Sequence, residues 1–206
     1  MKYAITKGDI LQTAPAEVTR EPRSGEKRVK CIYSRKDTNP IMQHFQGYKL
    51  ESIAGNKAYL SGSYKETNLE ESKEEATKLL SSKSQEVREA GFISVVTGLW
   101  TGALTKDAII RASIVANSAR NAVTGGRPTG VRNYKVAGSN TFIQLTNKDI
   151  SDLDDEINGD TGFIQQCYDR EEEISTLVDG VLTDAQAVSD LYYSVIDAGW
   201  PDHVTA

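Results

Sequence analysis

The sequence predicts an α+β chain: short β-hairpins behind an extended N-terminal arm, a short coiled-coil-like stripe, and a helical C-terminal half. Three observations carry that reading. Prolines and basic residues crowd the first 48 positions. Two short alternating runs, each broken by a Gly/Asn turn, read as hairpins. From about residue 67 onward, apolar residues recur at spacings of three and four.

Within the first 48 residues stand Pro15, Pro22 and Pro40, with Arg20, Arg23, Lys27, Arg28, Lys30, Arg35 and Lys36. Proline interrupts ladders and helices, so this part reads as an arm with short extended pieces at Tyr3 to Ile5 and Val29 to Tyr33. Its extended, basic character suits docking along another protein, with Arg20, Arg23, Arg28 and Lys30 as the attachment residues; a mobile tail with a couple of hairpin strands is the other use. Next, Tyr48 to Ile53 and Lys57 to Tyr64 flank Ala54-Gly55-Asn56 as a hairpin. The first domain is therefore drawn over 1–65 and the second over 66–206.

Asn68 followed by Glu71 is a capping box, and glutamates favour the first turns of the helix that runs to Ala90. Its stripe, Leu69, Ala76, Leu80, Val87 and Ala90, is interrupted by Lys83. The stripe serves either as the seam of a short parallel coiled coil or as one face packed on its own domain; the oligomer, a homotrimer, is the reading followed here. Gly91 ends the helix, and Phe92 to Trp100 reads as a strand entering a turn. A second helix starts at Thr105 or Lys106. Val131 to Val136 and Thr141 to Leu145 form another hairpin around Ala-Gly-Ser-Asn. Thr146 with Asp149 caps the next helix, Gly159 and Gly162 break it near Asn158, and Thr183 with Gln186 caps a last helix that stops before Trp200-Pro201.

Composition sets bounds on function. With 24 Lys+Arg against 29 Asp+Glu the net charge is −5, the wrong sign for a protein whose main partner is nucleic acid. Cys31, Cys167, His44 and His203 have no zinc-module spacing, so no metal is expected; a Cys31–Cys167 disulfide stays open, with reduced thiols the plainer reading. The apolar run Phe92 to Trp100 is too short to span a bilayer, and the N-terminus lacks a signal-peptide core, so the expectation is a product made in the cytoplasm without a membrane partner.

Motif by motif, chemistry is weakly indicated. Asp154-x-Glu156-x-Asn158-Gly159 imitates the opening of a calcium loop, but Gln165 stands where the bidentate Glu belongs, which favours a solvated acidic helix face. Gly125-Gly-Arg-Pro-Thr-Gly lacks the Lys-Ser/Thr of a phosphate cradle and follows a helix rather than a strand. The two histidines sit where a nucleophile has no fixed base, and Asp152, Asp154, Asp155 and Glu156 read as solvation. No catalytic residue and no cofactor is assigned, and the chain is expected not to be an enzyme. Trp200 and Pro201 form a candidate C-terminal anchor, since Trp is enriched in interface hot spots; the alternative is a helix stop with a partly packed Trp.

From Lys83 to Ser189 the chain resembles an uncharacterised domain family of phage tail and tail-fibre proteins. The matching residues are Arg88-Glu-Ala-Gly91-Phe-Ile, Gly98-Leu-Trp, Leu104-Thr-Lys-Asp107 with its Ala-rich helix, Tyr134-Lys with Gly138, Thr141-Phe-Ile-Gln-Leu-Thr, and Cys167-Tyr-Asp-Arg-Glu-Glu-Glu-Ile. Tyr134 stands where the family carries Trp. The resemblance implies a virion structural protein of the tail, in the baseplate or fibre-attachment region, assembled in the host cytoplasm through contacts with other tail proteins. The alternative is a tail-fibre assembly chaperone that does not stay in the virion, a class that often carries Trp-Pro near its C-terminus.

Overall fold

In the computed structural model, residues 2–8, 10–12 and 20–204 are described; Pro15 lies outside them. The class is α+β with a helical C-terminal half. The chain divides into two compact units, the first ending at Ser72 and the second starting at Lys73. That division lies inside the first turns of a helix rather than between residues 65 and 66.

The first unit is a five-stranded sheet. Its strands are β1 (Tyr3–Lys7), β2 (Ile10–Leu11), β3 (Glu26–Ser34), β4 (Gln43–Ala54) and β5 (Lys57–Glu66), in the order β2-β1-β3-β5-β4. The β4–β5 hairpin is the expected one, lengthened at both ends. Ala54 pairs with Lys57 across Gly55-Asn56, and Gly55 takes φ +59°, a conformation that favours glycine. The arm, by contrast, is corrected. Tyr3–Lys7 and Glu26–Ser34 are strands of this sheet, β3 lying between β1 (antiparallel) and β5 (parallel). They hold its core: Ala4, Val29, Cys31, Ala58 and Leu60 are buried together. Alternation explains the error, because Val29 and Cys31 are apolar on one face while Lys27 and Arg28 between basic neighbours mask a period of two. Ile41 is wholly buried, fixed by Asn39, whose side-chain oxygen accepts from the Ile41 N–H at 3.0 Å.

The second unit takes most of α1 (Leu69–Ala90), then α2 (Lys106–Thr124), the hairpin β6 (Val131–Lys135) and β7 (Phe142–Thr146), α3 (Asn147–Asn158), α4 (Phe163–Asp179) and α5 (Ala185–Val195). The capping box on α1 is present: Asn68 Oδ1 accepts from Glu71 N–H, and Glu71 Oε2 accepts from Asn68 N–H, both at 3.0 Å. Thr146 and Asp149 form the second expected box on α3. On α5 the cap sits one residue later than expected, at Asp184, because its carboxylate accepts from the Ala187 N–H. The core gathers Val87, Leu104, Ala116, Ala119, Leu145, Ile150, Leu153, Ile157, Phe163 and Cys167. Phe92 stacks on Phe163 with ring centroids 4.8 Å apart.

Two further expectations fail here. The segment from Gly91 to Trp100 is not a strand but a turn closed by a single Ile93–Trp100 bridge. Two of its backbone donors are met by a side chain: Glu156 accepts from the Val95 and Val96 N–H groups, each at 3.1 Å, and also from the Ser94 hydroxyl at 2.5 Å. The α1 stripe, read as an oligomer seam, is instead largely taken up inside the single chain. Ala76, Leu80 and Val87 are 0%, 1% and 1% exposed within the single chain, with Leu69 and Ala90 partly covered. Polar ties hold the helix to α4, where Ser81 donates to Glu171 at 2.7 Å and Arg88 bonds the Tyr168 hydroxyl. A stripe this narrow fits either use by spacing alone; intrachain burial takes up Ala76, Leu80 and Val87 and leaves only the partly covered Leu69 and Ala90 at its ends.

Candidate functional site

The residues singled out from the sequence are mostly engaged in structural bonds. Arg20 pairs with Glu26 at 2.7 Å, and the same carboxylate accepts from the Arg23 N–H at 2.8 Å. Those two interactions, the Arg20 bond first, hold the Glu26 carboxyl down to about 2. Arg28 donates to the Arg20 carbonyl at 2.9 Å, and Lys30 is a half-buried member of β3. The Arg20 and Arg28 side chains and the Arg23 backbone therefore stitch the turn before β3, so these residues belong to a folded sheet edge rather than a free arm. Trp200 takes the second of its two expected uses, a partly packed Trp beyond the last helix. It packs against the core of the second unit, and its indole N–H donates to the Ile196 carbonyl at 2.6 Å. Pro201 beside it is half-buried.

The acidic segment on α3 behaves the same way. Asp154 is 5% exposed and meets Arg120 at 2.6 Å, while Asn158 donates to its other oxygen at 2.7 Å. Asp155 takes the same guanidinium at 2.6 Å, and together the two carboxylates, Asp155 first, raise the Arg120 pKa. With Glu156 bound to the 94–96 turn, the two carboxylates of the calcium-like pattern, Asp154 and Glu156, are turned to different structural partners, and Asn158 is itself a donor to Asp154. After α2, the glycine-rich connection is fastened by Asn147, which is buried. Its amide donates to the Arg127 carbonyl at 2.8 Å and its oxygen accepts from Arg132 Nε at 2.6 Å. Both cysteines are buried free thiols. Burial lifts the Cys167 thiol to about 11.

A groove of about 780 Å³ stands open between α2 and the β6–β7 hairpin. Across it, Ala108, Arg111, Ala112 and Val115 follow helical steps of three, one and three on α2, opposite the run from Asn133 to Gly138. Leu104 and Ile157 contribute to its floor, as does Tyr134, whose phenol is pushed up by burial. Arg111 and Lys135 are the charged side chains lining it, and neither joins an ion pair among the described residues. Beyond its rim α2 exposes more apolar surface at Ile110, 49% exposed, and Ile114, 66%, next to the 43% exposed Val115 of the groove itself.

None of these groove residues was assigned a role from sequence. The signal available was α2 itself. Its buried stripe is alanine (Ala116, Ala119, Ala122), yet isoleucine and valine occupy other faces, more apolar surface than one core contact requires.

Compared with protein-family models, curated proteins and solved structures, the chain gives no match.

Proposed function

We propose that this chain is a non-enzymatic structural protein of a phage tail, in the baseplate or fibre-attachment region, acting through contacts with other tail proteins. The tail assignment rests on the residues between Lys83 and Ser189 quoted above. The observation that carries the protein-binding part is the second unit's open groove beside the exposed Ile110, Ile114 and Val115, because contiguous apolar surface of this kind marks interaction sites. A structural role is further supported by the use of Asp154, Glu156, Arg132 and Asn147 as internal ties.

Quantitative peptide mass spectrometry of purified particles tests the reading. A fixed stoichiometry to the major tail proteins is the expected result. Abundance in the infected lysate with absence from particles would replace it with the assembly-chaperone reading.

A further inference from the structure

The hairpin that lines the groove has an unpaired edge. In an antiparallel pair, alternate residues turn both backbone groups toward the partner strand and the residues between turn both away. The Val136 N–H donates to the Thr141 carbonyl and the Asn147 N–H to the Gly130 carbonyl, and Arg132 and Tyr134 stand opposite Leu145 and Ile143. The even-numbered positions therefore face β7. Val131, Asn133 and Lys135 aim their N–H and C=O groups outward, where no backbone bond meets them among the described residues. Two of the three, Asn133 and Lys135, lie along the groove.

Deepening the protein-binding reading above, and resting on it, we infer that the groove takes an extended, acidic segment of a partner protein, which adds as a third strand to the outer edge of β6 against α2. Main-chain bonds to Asn133 and Lys135 supply the affinity of strand addition, and side-chain contacts supply its selectivity. Alternate side chains of the incoming strand meet the Ala108, Ala112 and Val115 face. Charge decides the sign of the partner: among the described residues, Arg111 on one wall and Lys135 on the other join no ion pair and no carboxylate lines the groove, in a chain whose net charge is −5. A carboxylate on the segment has two cations to meet, whereas a cation on it meets the local repulsion of both.

The test uses the full chain and three synthetic peptides: acetylated, alternating valine–glutamate; the same with lysine for glutamate; and the acidic peptide N-methylated at alternate amides. Fluorescence anisotropy is expected to show saturable binding of the first and at least about tenfold weaker binding of the second. Binding of the N-methylated peptide should be lost, and amide exchange at Asn133 and Lys135 should slow with the first peptide alone. Arg111→Glu with Lys135→Glu, both on exposed positions, should reverse the preference between acidic and basic peptides. Asn133→Pro should abolish binding while leaving the β6–β7 bonds in place, with circular dichroism reporting the fold. No binding of the acidic peptide, equal binding of both charges, or indifference to N-methylation each overturns the proposal. Self-association of the free chain that Asn133→Pro abolishes would make a second copy the occupant and overturn it too. These outcomes are independent of particle composition, so strand addition and the tail assignment fail separately.

Discussion

Single residues in this protein matter most where a charge is buried or a backbone turn hangs on one side chain. Asp154 is covered and depends on Arg120 and Asn158. Removing one partner of a buried pair leaves an uncompensated charge, so Arg120→Ala should cost about 2–3 kcal/mol, at the low end for such pairs because Arg120 itself is partly exposed. Chemical denaturation reads this directly, and an unchanged midpoint would show the pair to be energetically idle. Glu156→Ala removes the acceptor for Ser94, Val95 and Val96. A cost of about 2 kcal/mol is expected, with hydrogen exchange accelerated at Val95 and Val96. Glu26 gives a pH signature. Its folded pKa, about 2, lies below the ordinary carboxylate value, so its contribution is present above about pH 4.3 and is lost as pH falls toward 2. Acid titration of Glu26→Gln should be flatter over that window than titration of the native chain; parallel curves would refute the assignment.

Among the elements, α1 shows what the sequence could and could not decide. Its start was legible because Asn68 and Glu71 carry the cap within four residues, and so was its end at Gly91, where φ is +67° and an added Cβ would stand 2.2 Å from the Gly102 carbonyl oxygen. Gly91→Ala should therefore destabilise by about 2–4 kcal/mol, since backbone atoms cannot swing aside. What the stripe packs against was not legible, because the spacing of Ala76, Leu80 and Val87 suits a partner helix from any chain. Leu80→Ala is expected to cost about 2–4 kcal/mol with no change of mass in sedimentation equilibrium. A drop in mass at unchanged stability would restore the oligomer seam. The hairpins at 48–64 and 131–145 were readable from local turn chemistry. The pairing of β3 with β5 was not, since it joins residues about thirty positions apart and leaves no local mark in sequence.

At the scale of the whole molecule, both tryptophans, Trp100 and Trp200, lie in the second unit. Indole fluorescence therefore reports one unit while far-ultraviolet dichroism reports both. Non-coincident denaturation curves from the two probes are expected, as for chains of more than one unit; coincident curves would show a single cooperative transition. The candidate groove was less legible than the fold. Arg111, Asn133 and Lys135 are ordinary surface residues in sequence, and only the placement of a helix beside an unpaired strand edge makes them neighbours.

The order of strands also has a consequence for synthesis. β3 reaches its parallel neighbour β5 only after the chain has passed through β4, so the sheet of the first unit cannot close until residue 66 has left the ribosome. Until then β3 holds β1 on one side and presents its other edge, with Cys31 and Ile32, to whatever else is in reach. A nascent chain paused before β5 is thus the form of this protein most exposed to edge-to-edge mispairing.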